Sequence, residues 1–236
     1  MKIIIIGATS GIGKELAQQY LALGHTVAIT GRREELLLEL KKQYPALYTD
    51  CFDVQAGNAV ERLQSLIGSM GSLDLLIYSA GYGDPSSGLV AATEIDSTAT
   101  NVMGFVKLAT FTFNYFLQQG HGQLAVLSSV AALRGNSWTP AYSASKAYVS
   151  NYAEGLNIKA QKLHANIVIT DLRPGFVKTK MAKGNGQFWV APVATAARQI
   201  IAAITAKKRV AYITKRWALI AFIMKRLPYW VYRRIG

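Results

Sequence analysis

The sequence predicts an α/β fold, one doubly wound parallel sheet of about seven strands with helices on both faces. Three observations predict it. Ile3 to Ile6 form an unbroken β-branched run, too short for a helix of its own, as expected of a buried central strand. Gly7, Gly11 and Gly13 punctuate a tight turn, and Leu16, Ala17, Tyr20, Leu21 and Leu23 follow at helical spacing. Short apolar runs and helical runs then alternate along the chain, the pattern of successive strand–helix units.

Thr26 to Thr30 reads as the second strand, and a helix runs from Glu34 to Gln43 until Pro45 closes it. Leu47 to Phe52 is the third strand, Ala59 to Ile67 a helix and Leu73 to Tyr78 the fourth strand. Gly83 to Gly88 is built of turn residues and reads as a loop. A long helix is expected over Ala91 to Gln118 with Asn101 and Gly104 inside it, then a fifth strand over Gln123 to Ser128. Val130 to Pro140 reads as a loop, Ala141 to Leu163 as a helix, and Asn166 to Asp171 as a sixth strand stopped by Arg173-Pro174-Gly175. Val193 to Ala206 completes the helices, and Val210 to Thr214 is a short seventh strand. Residues 1–214 thus read as one domain and 215–236 as a separate basic and aromatic segment.

The 236 residues suffice for one large core, and Cys51, the single cysteine, points to a reducing compartment. No secretory signal is expected, because the apolar N-terminal run ends in the glycine turn. The net charge of +13 is lopsided: residues 172–236 hold 14 Lys and Arg and no acid. The basic character therefore calls for a local explanation.

Strand, glycine turn and helix together present bare N–H groups and a helix N-terminus to a phosphate. Gly7 permits the sharp exit from the strand, Gly11 and Gly13 allow close approach, and Thr9 and Ser10 add hydroxyls. The spacing G-x-x-x-G-x-G departs from the common G-x-G-x-x-G. After the second strand an NAD site wants a carboxylate for the ribose 2′-OH, but Gly31 stands there, followed by Arg32 and Arg33. Two guanidiniums suit a 2′-phosphate, so NADP(H) is expected over NAD(H). The plain alternative is a solvated pair bridged to Glu34, Glu35 or Glu39. Asp53 and Val54, at the end of the third strand, are placed for adenine contacts or for a strand-end turn. Asp74 reads as structural.

Tyr142 and Lys146 lie four apart near the start of a helix and share one face. A neighbouring ammonium would favour the phenolate and lower a pKa that is ordinarily about 10. Ser129 follows a strand and can reach the same point. An ordinary surface pair is the bland alternative.

With these motifs together, the chain resembles the short-chain dehydrogenase/reductase family. Gly7-Ala8-Thr9-Ser10-Gly11-Ile12-Gly13 is similar to the family's cofactor turn. Asn101, Ser129, Tyr142 and Lys146 match its catalytic four, and Arg173-Pro174-Gly175-Phe176-Val177 with Thr179 its nicotinamide-side segment. The resemblance covers about residues 1–214 and implies a Rossmann-like fold and a dimer or tetramer built on two long helices. It implies that Tyr142 exchanges a proton with a carbonyl or alcohol, that Ser129 stabilises the oxygen, and that Lys146 holds the cofactor ribose. Asn101 would hold a water linking Lys146 to solvent. Ala80 and Gly81 allow close cofactor approach, as do Pro174, Gly175, Val177 and Thr179 on the nicotinamide side. Two departures stand out. Tyr78-Ser79 replaces an Asn-Asn pair, removing amides that would support the central strand, and Ile6 stands where a threonine is common.

Lys178 to Ala191 is expected to cover the substrate, with Gly184 and Gly186 as hinges. Phe188, Trp189, Tyr82 and Trp138 are candidates for an apolar substrate pocket. In residues 215–236, basic pairs alternate with aromatic and aliphatic residues, and Pro228 should break any helix. The uncharged run Trp217–Met224 is far short of the ~20 residues needed to span a bilayer. A membrane-surface segment at the inner face of a membrane is one reading, and a cap over the cleft or a dimer is the other. Neither nucleic acid nor a metal is expected. The expected function is NADPH-linked reduction of a small apolar carbonyl, lipid-like ones included, or oxidation of the alcohol, in the cytoplasm. A non-enzymatic NADP(H)-binding regulator or scaffold is the alternative.

Overall fold

The computed structural model describes residues 1–84, 88–179 and 188–234. Seven strands form one sheet: β1 (Lys2–Ile6), β2 (Thr26–Gly31), β3 (Tyr48–Cys51), β4 (Leu75–Tyr78), β5 (Gly122–Leu127), β6 (Ile167–Pro174) and β7 (Val210–Ile213). They lie in the order β3-β2-β1-β4-β5-β6-β7, every neighbouring pair parallel. The helices are α1 (Gly11–Ala22), α2 (Glu34–Gln43), α3 (Ala59–Met70), α4 (Ala91–Thr98), α5 (Phe105–Gln119), α6 (Pro140–Lys162), α7 (Val193–Thr205), α8 (Trp217–Arg226) and α9 (Tyr229–Tyr232). Order reverses between β1 and β4, so the crevice beyond their carboxyl ends is the natural ligand site.

The isoleucine run shows why the sheet is covered twice. Ile3 and Ile5 belong to one core with Leu16, Tyr20, Ile200 and Ile204, whereas Ile4 and Ile6 belong to the other with Leu63, Phe105 and Phe116. All four isoleucines are fully buried. Alternate side chains point to opposite faces of a strand, and both faces here meet helices.

Three expectations need correction. The long helix over 91–118 is interrupted by a π-helical turn at Ala99–Gly104. The extra residue per turn swings Asn101 inward, where it is 1% exposed, and Gly104 packs directly on Val54. The loop over 130–140 contains a 3-10 turn at Val130–Leu133, capped by the Ser129 hydroxyl accepting from the Ala131 N–H at 3.1 Å. Strand β6 does not stop before Arg173. It continues through Pro174, because Arg173 and Pro174 pair with Tyr212 and Ile213 of β7. Proline at the last strand position removes only a terminal ladder donor.

Asp74 is structural, accepting the Lys2 N–H at 2.7 Å. Pro228 separates α8 from α9. Both helices lie on the domain, with Trp217, Ala221 and Tyr232 buried.

Candidate active site

The glycine turn closes because Gly7 and Gly13 lack a side chain. Gly7 has φ 82°, and a Cβ there would lie 2.5 Å from the Ala80 backbone at the end of β4. A Cβ on Gly13 would lie 2.4 Å from the Gly7 carbonyl oxygen, so α1 presses directly on the turn. Ile12 packs against the core beneath. Ser10 caps α1 without a side-chain hydrogen bond, and no acid occupies the first turn. The helix therefore offers unpaired N–H groups and a positive dipole end to an anion.

The two arginines diverge. Arg33 turns back across the glycine turn, donating from Nε to Thr9 Oγ1 at 3.1 Å and from Nη2 to Ser10 Oγ at 2.8 Å. Arg32 pairs with Asp53 at 3.4 Å, with 59% of its side chain exposed. Neither makes an ion pair with Glu34, Glu35 or Glu39 among the described residues, so both guanidiniums border the crevice rather than lying along α2. Gly31 is required between them and the turn, because a Cβ there would meet Thr9 Cγ2 at 2.6 Å. Asp53 also accepts the Gln55 N–H at 2.9 Å as a turn residue. Val54 is a core residue beneath Gly104, which leaves only its main chain for a ligand.

The four candidate catalytic residues converge beyond β4, β5 and β6. Lys146 is 6% exposed and donates to the Leu127 carbonyl at 2.8 Å. Its Nζ lies 5.7 Å from the Tyr142 ring centroid. Gly81 separates it from Asn101: a Cβ there would be 3.3 Å from Lys146 Nζ and 3.4 Å from Asn101 Oδ1. Asn101 clasps the main chain of Tyr82, accepting its N–H at 2.8 Å and donating to its carbonyl at 2.7 Å. It also donates to Ser145 Oγ at 2.9 Å. Ser129 caps the 3-10 turn beside the Tyr142 hydroxyl and lowers that hydroxyl's pKa.

Electrostatics at this point run against the expectation from spacing. Burial pushes the Tyr142 hydroxyl above its ordinary value, and the Ser129 hydrogen bond offsets only part of that rise. Burial also pushes the Lys146 amine down to about 8, against the opposing pull of the Asp171 carboxylate. Gly83 helps to cover the phenol, since a Cβ there would sit 2.4 Å from the Tyr142 ring.

Residues around the site were not all legible in the sequence. Tyr78, where an amide was missed, donates its hydroxyl to the Thr100 carbonyl at 3.1 Å and so ties β4 to the π turn. Asp171 is 3% exposed and accepts from Arg173 Nε at 2.7 Å, from Ser150 Oγ at 2.7 Å and from Ser128 Oγ. Its signal was the spacing Asp171-x-Arg173, which puts both side chains on one face of a strand. Trp217 lies over Gly175, where a Cβ would be 2.1 Å from the indole nitrogen. Nothing local to either residue announces that contact.

Of the apolar candidates, Phe188 and Trp189 join Phe176 and Trp217 in one aromatic cluster, with ring centroids 5.0 Å apart for Phe188 and Trp217. Trp138 is exposed, and Tyr82 is held by Asn101. Val177 is buried and Thr179 reaches the glycine turn at Gly11. Gly184 and Gly186 lie outside the described residues. A shallow cleft of about 400 Å³ opens between Leu133, Arg134 and the start of α6, beside the four candidate catalytic residues rather than over them.

A family model described as short chain dehydrogenase matches residues 1–188. An uncharacterized oxidoreductase of Mycobacterium tuberculosis is 31% identical over 100% of this chain and 97% of its own. The NADP-dependent 3-hydroxy acid dehydrogenase YdfG of Escherichia coli is 30% identical over 75% of this chain and 73% of its own. The solved structure of ElxO with NADP bound has a TM-score of 0.81 at 20% identity, covering 92% of this chain and 98% of that one, a likeness of fold.

Proposed function

The chain belongs to the short-chain dehydrogenase family and is an oxidoreductase; on that premise we propose that it reduces a small apolar carbonyl, or oxidises the alcohol, with NADP(H). The observation that carries this reading is the meeting of Ser129, Tyr142, Lys146 and Asn101 at the carboxyl ends of β4 to β6.

The residues present fit a dinucleotide. Side-chain-free contacts at Gly7 and Gly13 bring the turn against β4, and the open N-terminus of α1 suits a diphosphate. Arg32 and Arg33 would take a 2′-phosphate, which favours NADP(H) over NAD(H). The NADP-dependence of the E. coli relative supports the same choice. Asp53 and the main chain of Val54 would meet the adenine. Ala80, Gly81, Pro174, Gly175, Val177 and Thr179 would border the nicotinamide half.

Bound NADPH would supply the hydride. Tyr142, kept neutral by burial, donates its proton to the carbonyl oxygen in reduction and takes it back in oxidation. Ser129 donates a hydrogen bond to the same oxygen and stabilises the charge that develops there. Lys146 holds the ribose hydroxyls and adds positive charge beside the phenol. Asn101 fixes the main chain of Tyr82, and the water attributed to it would sit between its amide and Lys146.

Phe188, Trp189, Tyr82 and Trp138 would line the substrate. A homodimer or homotetramer is supported by exposed Ile95, Met103, Tyr148 and Ile158 along α4, the π turn and α6. We place the protein in the cytoplasm, peripherally at the inner face of a membrane. The direct test follows NADPH oxidation by absorbance against a panel of carbonyl compounds. Turnover on apolar members is expected, and tight cofactor binding without any turnover would favour a regulator instead.

A further inference from the structure

Helix α8 is apolar on both sides. Trp217 and Ala221 are buried against the domain, but Leu219, Phe222 and Ile223 on the outer side are 60%, 54% and 43% exposed. A helix lying on a soluble domain ordinarily turns a polar face outward. Helix α9 continues the surface with Tyr229 at 74% and Trp230 at 61% exposure. Cations flank it: Lys215 and Arg216 before α8, Lys225 and Arg226 at its end, Arg233 and Arg234 after α9. The Arg226 guanidinium lies 3.7 Å from the Phe222 ring centroid, held at the edge of the apolar face.

We infer that the outer face of α8 and α9 docks on an anionic lipid surface, setting the mouth of the substrate cleft against that surface. Charge selects the occupant. A two-fold contact with a second copy would set six cations against six with no acid in the segment to pair them. Anionic headgroups meet the same cations favourably, each adding about fivefold to binding near the surface. Among the described residues no helix is long and apolar enough to cross a membrane, so the segment lies in the interface. Exposed tryptophan and tyrosine beside arginine are the side chains suited to headgroup depth.

The docking face is fastened to the site. Arg134, five residues after Ser129, donates to the Met224 carbonyl at 3.1 Å and the Leu227 carbonyl at 2.8 Å. Tyr232 donates back to the Gly135 carbonyl at 2.6 Å. On the other side, Trp217 carries the Phe188 and Trp189 rim. A substrate dissolved in lipid would reach the cleft without crossing water. This deepens the peripheral location proposed for the protein by naming its surface and its lipid charge.

The test uses the full chain with phosphatidylglycerol–phosphatidylcholine vesicles against phosphatidylcholine alone, read by co-sedimentation. Binding is expected only to the anionic vesicles, and to weaken as salt shortens the screening length from ~10 Å at 0.1 M to ~3 Å at 1 M. Leu219→Ser/Phe222→Ser/Trp230→Ser should lower binding about tenfold or more. Lys207→Gln/Lys208→Gln, at an exposed turn away from this face, should change it less than about threefold. NADPH turnover on a soluble carbonyl serves as the fold control for both variants. No binding to anionic vesicles overturns the inference and the peripheral location with it. Binding that ignores the triple substitution, or falls equally with the lysine control, overturns the assigned surface while leaving a peripheral location standing. A dimer made monomeric by the triple substitution would assign the face to self-association and overturn the inference. Lipid binding without NADPH turnover would count against the catalytic reading alone.

Discussion

The Lys146 ammonium lies 5.7 Å from the centre of the Tyr142 ring and gives its hydrogen bond, at 2.8 Å, to the Leu127 carbonyl. Burial, with no lowering charge from that ammonium, holds the phenol above its ordinary value before any cofactor arrives, which suits a proton donor. Tyr142→Phe keeps the ring that Gly83 packs against and removes only the proton. Turnover should fall by ~10²–10⁴-fold, the usual range for a general acid, with NADPH affinity unchanged. Stopped-flow cofactor binding beside steady-state turnover checks both halves. A parallel loss of cofactor binding would mean that the hydroxyl holds the cofactor.

The pH dependence follows from Lys146. Its folded value, about 8, lies below the ordinary 10.5, so the folded site loses this charge in a range where an unfolded lysine keeps it. Between those values the unfolded chain binds more protons, and the amine's penalty on folding fades as pH rises through that window. For catalysis the sign is opposite: kcat/KM for NADPH should hold through neutral pH and decline above about 8 as the ammonium disappears. Tyr142, shifted upward, contributes no break near neutrality. Lys146→Arg keeps its charge to far higher pH, so the alkaline decline should vanish in that variant even if activity is lower.

Arg32 is the more switchable of the two arginines. Its 3.4 Å pair with Asp53 is exposed and worth little, ~0–1 kcal/mol, so the guanidinium is free to exchange it for a phosphate. Arg32→Asp should raise the KM for NADPH by ~10–100-fold, the loss of one or two charge-assisted hydrogen bonds, and leave that for NADH nearly unchanged. Arg33→Ala should act on both cofactors, because Arg33 braces Thr9 and Ser10 of the turn itself. Equal effects of Arg32→Asp on the two cofactors would remove it from the 2′-phosphate site.

The fold was legible because its signals are local. Four isoleucines, a glycine turn and a helical run each report their own burial, and the register of the sheet follows. The convergence of Asn101, Ser129, Tyr142 and Lys146 was legible from spacing, yet their electrostatics were not. Tyr142 is shielded by Gly83, 59 residues earlier, and such desolvation leaves no mark on the Tyr142–Lys146 spacing. The π turn at Asn101 escaped because one residue of widening hardly disturbs a helical hydrophobic period. Strand β6 was cut short because Pro174 reads as a breaker unless its partners on β7 are known.

Asp171 is expected to act on the site through Lys146. Its carboxylate, buried with Arg173, Ser150 and Ser128, is the charge that opposes the downward shift of the amine. Asp171→Asn keeps the size of the side chain but leaves Arg173, with 14% of its side chain exposed, uncompensated. Stability should fall by about 3–5 kcal/mol in denaturant unfolding, as when one member of a buried ion pair is removed. The alkaline decline of kcat/KM for NADPH should move to lower pH. A stability loss with an unmoved pH profile would confine Asp171 to packing.

Arg134 joins the C-terminal helices to the Ser129 loop by one side chain. Its guanidinium spans the Met224 and Leu227 carbonyls at the end of α8 and stacks over Tyr232 at 4.3 Å. Those carbonyls belong to the helix end that Pro228 prevents from continuing, so no later N–H of α8 satisfies them. Removing a charged donor from such a pair costs ~1.5–3 kcal/mol, and the cation–π contact adds ~0.5–1 kcal/mol. Arg134→Ala should therefore speed amide exchange in α8, α9 and residues 130–135 together, while exchange in β1, β4 and β5 stays slow. Substrate kcat/KM should fall with cofactor affinity unchanged, because the Ser129 cap on the 3-10 turn loses its outer support and the glycine turn does not. Tyr232→Phe removes only the bond to Gly135 and should reproduce the effect at smaller size. Faster exchange in α8 and α9 with an unaltered Ser129 loop would show that the tail rests on the domain without steadying its chemistry.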